Sequence, residues 1–235
     1  MPEVRRGDDL GVLIAEAAPG ELASGDVLVV AHKVVSKAEG RVRRLDGIEP
    51  GDEAIRLAAA QGKDPRLLQA VLDETVRVVR EAPWVLICET RHGLVCANAG
   101  VDRSNTEHRD EVVLLPEDPD ASARRLRGSL SARPAVVVSD SFGRAWRLGQ
   151  TDVALGVAGL VPLDDWRGRA DSAGRPLEAT EIAVADAVAA AADLARSKDS
   201  REPVVLVQGL ERFVTAEDGP GAAALRRPPD EDLFR

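Results

Sequence analysis

The chain contains no tyrosine and only three phenylalanines, three tryptophans and two cysteines among its 235 residues. With so few aromatic side chains, we expect a core built mainly from Val, Leu and Ala. Cys88 and Cys96 lack the CxxC or Cys/His spacing of a zinc site. We therefore interpret them as buried, reduced thiols in a cytosolic protein.

Long hydrophobic runs are also missing. No apolar stretch approaches the roughly 20 residues that span a bilayer, and the N-terminal residues MPEVRRGDD are too polar for a signal peptide. These absences predict a cytoplasmic protein. The net charge of −9 argues against a general nucleic-acid binder, although an acidic protein can still bind phosphate groups locally.

Several common motifs of enzyme sites are absent as well. The sequence has neither the G-x-x-x-x-G-K-[ST] of a P-loop nor the G-x-G-x-x-G of a dinucleotide-binding fold. No Asp/His partner in a nucleophile-elbow context accompanies Ser36, Ser104, Ser139 or Ser141, which argues against a hydrolase triad. His32, His92 and His108 do not have the mutual spacing of a metal triad, so each is expected to be an ordinary buried or exposed histidine.

The hydrophobic pattern predicts a mixture of helices and strands in one domain over residues 1–235, since no linker or change in composition divides the chain. A helix capped by Asp8-Asp9 is expected to run from Leu10 to about Pro19. Further helices are predicted at 52–61, 65–80, 118–131 and 180–194, and strands at 27–31, 84–88, 93–97, 112–115, 136–138 and 204–207. The apolar stripe of the 65–80 helix would include Val76 and Val79, and Glu178 and Glu181 would favour the start of the 180–194 helix. The elements lack a regular βαβ period, so the fold class is α/β or α+β.

Two acidic clusters, GVDRSN at 100–105 and SDSFGRAWR at 139–147, each adjoin a short apolar run. Such residues more commonly form turns and helix caps. However, a buried strand predicted at 136–138 precedes the second cluster, and loops at the ends of such strands often carry chemistry. Carboxylate and hydroxyl oxygens suit Mg²⁺ or Mn²⁺. We predict one metal site from both clusters, with Asp102 and Asp140 as ligands, Ser141 reaching a second ion and Asn105 bonding phosphate or base.

Basic side chains accompany both clusters. Lys33 and Lys37 are four residues apart after the first predicted strand. If their segment is a helix they share one face, and if it is a loop they can converge on one phosphate. For two lysines alone, a solvated surface is the commoner role. Arg144 and Arg147 can meet a phosphate or carboxylate with planar guanidinium groups. We predict that Lys37 steadies phosphate and that Arg144 or Arg147 orients an acidic substrate.

Three segments closely resemble the coenzyme F420-0:L-glutamate ligase family, the gamma-glutamyl ligases of deazaflavin coenzyme biosynthesis. They are GDVLVVAHKVVSKAEG at 25–40, AGVDRSN at 99–105 and SDSFGRAWRLGQTD at 139–152, and residues 180–186 and 232–234 share the resemblance. The resemblance implies an α+β domain that forms an intertwined homodimer. It also implies a GTP-dependent ligase that joins L-glutamate to coenzyme F420-0 and then adds further gamma-linked glutamates.

The resemblance also implies roles for individual residues. Asp102 and Asp140 would hold one divalent ion, Mg²⁺ or Mn²⁺, and Ser141 would contact a second, with K⁺ as a further candidate ion. Ser197 aligns roughly where some relatives offer a glutamine to the second ion. The implied contacts with GTP come from Met1, Pro2, Glu3, Val4, His32, Lys33, Lys37 and Asn105.

The chain departs from the resembled family in places. His32 stands where a hydroxyl or an amide is common. The family has an apolar strand before the segment that matches Met1 to Val4, so we expect that strand to be missing. Some relatives carry a flavin-binding reductase domain after this one, and we expect no such activity here.

The implied chemistry is a phosphoryl transfer followed by an acyl transfer. GTP would phosphorylate the precursor carboxylate, and the amine of glutamate would attack the resulting acyl phosphate. One alternative is a metal-dependent GTP phosphohydrolase, whose phosphate release would not depend on glutamate. Another is a non-catalytic nucleotide- or deazaflavin-binding subunit, against which the complete set of Asp102, Asn105, Asp140 and Lys37 argues.

Overall fold

The structure is a computed structural model that describes residues 1–197 and 199–232. Its α-helices are α1 (Leu10–Ala17), α2 (His32–Ala38), α3 (Asp52–Gln61), α4 (Pro65–Asp73), α5 (Pro119–Ser129) and α6 (Val184–Ala195). Its strands are β1 (Val27–Ala31), β2 (Val42–Arg44), β3 (Thr75–Ala82), β4 (Val85–Thr90), β5 (Val95–Ala97), β6 (Glu111–Val113), β7 (Ala135–Arg144), β8 (Arg147–Ala158), β9 (Leu163–Asp165), β10 (Glu181–Ala183) and β11 (Val204–Val207). Leu233 and Phe234, which share the family resemblance, lie outside the described residues.

A four-stranded sheet in the order β11-β1-β7-β8 forms the centre of the fold. β1 and β7 are parallel, and the outer strands pair with them antiparallel. The run Val27–Val30 is fully buried because both faces of the sheet are covered. Val27 and Val29 pack with α6, whereas Leu28 and Val30 pack with α1 and α5. The sheet therefore holds the carboxyl end of β1 beside Ser139 of β7.

A second core lies under α3, α4 and the antiparallel sheet β3-β4-β5. Leu57, Leu68, Leu86 and Cys88 are among its fully buried side chains. The remaining strands form two small antiparallel pairs, β2 with β6 and β9 with β10. Cys88 and Cys96 face each other across β4 and β5 as buried free thiols, as predicted.

Most predicted elements are confirmed, including the cores rich in Val, Leu and Ala. α1 begins where expected because the Asp9 carboxylate accepts the backbone N–H groups of Gly11 and Val12. The mixed α/β class and the absence of a regular βαβ period are also confirmed. Among the described residues, the helices are too short and too polar for any of them to cross a membrane.

The predicted helix over 65–80 is wrong beyond Asp73. Residues 75–82 form β3, and Val76 and Val79 are 68% and 41% exposed instead of lying on a buried stripe. These residues are rich in β-branched side chains, and they pair with β4 from Thr75 opposite Thr90 to Ala82 opposite Val85. Pairing with a neighbouring strand therefore overrides the helical spacing of the apolar residues.

The predicted helix over 180–194 begins late, at Val184. Glu181 belongs instead to β10, and its carboxylate lies 3.1 Å from the Arg167 guanidinium. Glu178 and Glu181 therefore do not lie in the first turn of α6, where Asp186 is the acidic residue.

The strand predicted at 136–138 is longer than expected. β7 continues to Arg144, and β8 returns from Arg147 to Ala158, so the two form one long hairpin. The second acidic cluster is therefore mostly strand and not a loop. The apolar run that begins at Val153 belongs to β8 as far as Ala158.

Candidate active site

A cavity of about 620 Å³ opens at the carboxyl end of β1, beside Ser139 to Ser141 in the middle of β7. Ala31, the last residue of β1, pairs with Ser139 of β7, and α2 begins directly after it at His32. Parallel pairing therefore places the start of α2 beside Asp140. The N-terminal residues Met1 to Val4 and the segment after α6 close the other sides of the cavity.

The structure gathers most of the predicted site residues around this cavity. Those that line it are Met1, Pro2, Glu3, Val4, His32, Lys33, Lys37, Asn105, Asp140, Ser141 and Ser197. Asp102 adjoins the cavity through Lys33, whose Nζ lies 2.7 Å from Asp102 Oδ2. The roles that we predicted for these residues stay predictions, but their positions bring them within one site.

Asp102 forms an isolated β-bridge with Val113, just before a polar turn, and carries a negative charge at neutral pH. Ser104 donates its backbone N–H to Asp102 Oδ1 at 2.7 Å and its hydroxyl to Oδ2 at 3.1 Å. Burial acts to raise the pKa of Asp102, but the hydrogen bonds from Lys33 and Ser104 outweigh it and hold this pKa below its ordinary value. The carboxyl group is therefore ionised, which is the form that binds a cation.

Asp140 is the second carboxylate, with a side chain that is 19% exposed. Its Oδ1 lies 3.4 Å from His32 Nε2. His32 and Lys33 are consecutive residues in the first turn of α2, and they contact Asp140 and Asp102 respectively. The first turn of α2 therefore links two carboxylates that are 38 positions apart in the sequence.

The N-terminal segment is attached to α2. Lys37 forms an ion pair with Glu3, and Gly7 donates its backbone N–H to the carbonyl of Ala38 at 2.8 Å. Val4 is buried. These contacts keep Met1 to Val4 at the cavity wall, next to the lysines of α2.

A buried ionic network lies at the back of the cavity, and sequence reasoning missed it. We call it the Asp152 network, and its members are Ser139, Ser141, Asp152 and Arg196. The Asp152 carboxylate is 1% exposed, accepts the hydroxyls of Ser139 and Ser141 at 2.8 and 2.6 Å, and pairs with the Arg196 guanidinium. Arg196 also donates to the carbonyl of Pro203.

The signal that would have revealed this network is strand register. Ser139 and Ser141 are two positions apart, so they share one face of β7, and Ser141 pairs directly with Asp152 of β8. The motif at 139–152 contains all three residues, but their contacts follow from the hairpin. Arg196 comes from the end of α6, 44 residues after Asp152, and carries no local signal.

Arg144 and Arg147 are not brought to the cavity. They lie on the exposed end of the β7–β8 hairpin, residues 142–150, which we call the arm. Arg144 donates to the carbonyl of Leu148 at 2.6 Å. Trp146 and Leu148 are 81% and 97% exposed. Within this chain the two arginines therefore lie outside the predicted site.

The donor set of the site fits a hard cation that shares its ligands with a substrate. Within residues 1–197 and 199–232, no group of three or more His, Cys, Asp or Glu residues is arranged to hold a metal ion. Mg²⁺ is usually held by one or two carboxylates together with substrate phosphates and water, and not by an all-protein cage. Asp102, Asp140 and the Ser141 hydroxyl match that pattern.

Comparison with known proteins gives a consistent result. The family model described as F420-0:Gamma-glutamyl ligase matches residues 1–209. The chain is 46% identical over 239 residues to the coenzyme F420:L-glutamate ligase of Methanopyrus kandleri, covering 99% of this chain and 94% of that protein. It is 43% identical to the protein of the same name from Methanothermobacter thermautotrophicus, covering 100% and 96%. The corresponding protein of Haloarcula marismortui is 44% identical, with 100% and 93% covered. These matches confirm the resemblance that the three motifs carried.

Proposed function

This chain belongs to the F420-0:gamma-glutamyl ligase family and is a ligase of coenzyme F420 biosynthesis, and we propose that it uses GTP to join L-glutamate to coenzyme F420-0. We propose further that it extends the product by gamma-linked glutamates. The observation that carries this proposal is the cavity between α2 and β7, where two lysines lie close to carboxylates. Lysines suit the phosphates of a nucleoside triphosphate, and carboxylates suit the cation that is bound together with it.

Lys33 and Lys37 are the phosphate-binding groups in this proposal. Both line the cavity, and each is one helical turn from the other on α2. Each ammonium group is paired with a single carboxylate, that of Asp102 or Glu3. Phosphate oxygens compete well for such groups because an ammonium has three donors. Asn105 supplies a further hydrogen-bonding group at the cavity wall.

The proposed metal ligands are Asp102 and Asp140 for one divalent ion, and Ser141 and Ser197 for a second. Bound Mg²⁺ or Mn²⁺ would neutralise charge on the transferring phosphoryl group. One of these proposed ligands, Ser141, belongs to the Asp152 network at the back of the cavity. The hydrogen bond from the Ser141 hydroxyl to Asp152 restrains the Ser141 side chain.

The proposed reaction needs little covalent chemistry from the protein. A carboxylate oxygen of coenzyme F420-0 attacks the γ-phosphorus of GTP, which gives an acyl phosphate and GDP. The amine of glutamate then attacks the acyl carbon, loses a proton and displaces phosphate. Lys33 and Lys37 offset the negative charge near the transferred group. The cavity holds the reactants together and limits the access of water to the acyl phosphate.

The proposal is tested by incubating the purified protein with coenzyme F420-0, L-glutamate, GTP and Mn²⁺ and measuring product masses. A series of products that differ by one glutamyl unit is expected. Phosphate release that does not require glutamate would instead favour a GTP phosphohydrolase. Nucleotide binding without either product would favour a non-catalytic binding subunit. Replacing GTP by ATP in a parallel reaction tests the choice of nucleotide.

An Asp140→Ala variant tests the proposed metal site separately. It is expected to lose ligation while it keeps its fold, because Asp140 is partly exposed and lines the cavity. Normal ligation by this variant would rule out the metal assignment. The same assay with EDTA is expected to abolish turnover of the wild-type protein.

We also propose that the protein works as a homodimer in which the arm contacts a second copy of the chain. Trp146 and Leu148 expose large apolar side chains at the end of the arm. In a dimer, Arg144 and Arg147 would be available to an acidic substrate of the partner subunit.

Sedimentation equilibrium tests this arrangement. Leu148→Ser is expected to weaken self-association, and Leu194→Ser is the matched control because Leu194 is equally exposed but lies on α6. A wild-type monomer at micromolar concentration would contradict the proposal.

A further inference from the structure

His32 is a buried histidine with one unsatisfied ring nitrogen. Its side chain is 1% exposed. Nδ1 lies 3.3 Å from the hydroxyl of Ser36, which is itself fully buried. Nε2 lies 3.4 Å from Asp140 Oδ1, and in the described part of the chain this nitrogen has no hydrogen-bond partner. Buried polar atoms are nearly always hydrogen-bonded, so an exception of this kind calls for an explanation.

The Ser36 hydroxyl can donate to Nδ1 or accept from it, so the contact with Asp140 decides which ring nitrogen carries the hydrogen. When the Ser36 hydroxyl donates to Nδ1, the ring hydrogen is on Nε2 and points toward Asp140. The opposite tautomer would place the Nε2 lone pair against a carboxylate oxygen, which is electrostatically unfavourable. The present separation is only a few tenths of an ångström longer than the usual N–H···O distance of about 3.0 Å. A small movement of the Asp140 side chain therefore completes the bond.

We propose that His32 is a positioning residue for Asp140, and that its Nε2–H holds the carboxylate in the orientation that binds a divalent cation. This inference rests on the proposed function, in which Asp140 is a metal ligand. Groups that hydrogen-bond to a metal-ligating side chain fix its orientation and tune the affinity of the site for the metal. The ring is suited to this because the buried Ser36 contact limits its rotation.

With its hydrogen on Nε2, the His32 ring can donate one hydrogen bond to a carboxylate. A purely space-filling residue would not need a donor at all, which makes the role testable by substitution.

The test measures Mn²⁺ binding to the full chain in the presence of GDP, by the loss of the free-ion EPR signal. His32→Ala is expected to weaken Mn²⁺ affinity by about 10- to 100-fold. His32→Gln, which keeps a donor, is expected to restore most of that loss. An equal loss in both variants, or in neither, would overturn the positioning role.

His92→Gln is the matched control. His92 is also buried and also has one unsatisfied ring nitrogen, Nδ1, but its Nε2 contacts the carbonyls of Pro116 and Glu117, each at 3.0 Å, where His32 Nε2 contacts the Asp140 carboxylate. Its replacement is expected to leave Mn²⁺ affinity unchanged. A loss of affinity equal to that of His32→Ala would show a general effect of removing a buried histidine and would overturn the inference.

Two further variants separate the possible failures. Asp140→Asn is expected to abolish Mn²⁺ binding at this site. If wild-type protein and Asp140→Asn bind Mn²⁺ equally, the proposed metal site is wrong. If Asp140→Asn loses binding and His32→Ala does not, only the positioning role is wrong.

Should His32→Ala fail to fold, Ser36→Ala keeps the ring but removes the donor to Nδ1. It is expected to weaken Mn²⁺ binding, and unchanged affinity would overturn the inference.

Discussion

Replacement of Asp152 by alanine is expected to destabilise the protein strongly. The Asp152 carboxylate is 1% exposed and the Arg196 side chain 9%, so the substitution leaves a buried guanidinium without its charged partner. The hydrogen bonds that Ser139 and Ser141 donate to Asp152 are also lost. Removing one member of a buried ion pair costs about 3–5 kcal/mol in the free energy of unfolding. For a chain of this length, that corresponds to a fall in melting temperature of about 6–20 °C.

The assay is urea denaturation followed by circular dichroism, applied to a double-mutant cycle. The double variant Asp152→Ala/Arg196→Met removes both charges, so its cost is expected to be smaller than the sum of the two single costs by about 1–3 kcal/mol. Asp165→Ala removes a carboxylate from an exposed pair with Arg167 and is expected to leave the midpoint unchanged. A loss below about 1 kcal/mol for Asp152→Ala, or strictly additive costs, would refute the buried-pair reasoning.

Three other outcomes are expected. Burial lowers the pKa of His92, so the unfolded chain binds a proton more readily and stability falls as the pH drops below the ordinary value of 6.5. Urea midpoints between pH 8 and pH 5 should show this slope, and a His92→Gln variant that keeps the full slope would contradict it. An alanine Cβ at Gly156 would lie 2.1 Å from the carbonyl oxygen of Pro119, so Gly156→Ala should cost about 1–3 kcal/mol or more, whereas Gly128→Ala, with no atom within 4 Å, should cost nothing in the same denaturation assay. Burial raises the pKa of Cys96 to about 12, so its thiol should react slowly with iodoacetamide at pH 8 until the protein is unfolded, and rapid labelling of folded protein would oppose this account.

Elements with a strong local signal were predictable from the sequence. The cap at Asp9 and the apolar residues of α1 lie within a dozen positions, and the buried run Val27–Val30 has one obvious interpretation as a strand. β3 was not predictable in this way. Its apolar residues have a spacing that also suits a helix, and only pairing with β4 decides between the two.

The residues of the candidate site were likewise predictable only in part. The motifs identified many of the residues that line the cavity, because each motif is continuous in sequence and resembles a known family. They did not identify Arg196, and they placed Arg144 and Arg147 nearer to the site than the arm allows. The long β7–β8 hairpin carries Arg144 and Arg147 away from the cavity. Its length depends on the pairing of two strands, and neither segment specifies that pairing by itself.

The sequence by itself determined the mixed α/β class, the family and most of the residues around the cavity, because these depend on local hydrophobic pattern and continuous motifs. Only the tertiary structure decided how distant segments meet. Parallel pairing of β1 with β7 brings His32 to Asp140, and the end of α6 brings Arg196 to Asp152. Contacts between residues that are 44 or 108 positions apart depend on packing of the whole chain, and no short stretch of sequence encodes them.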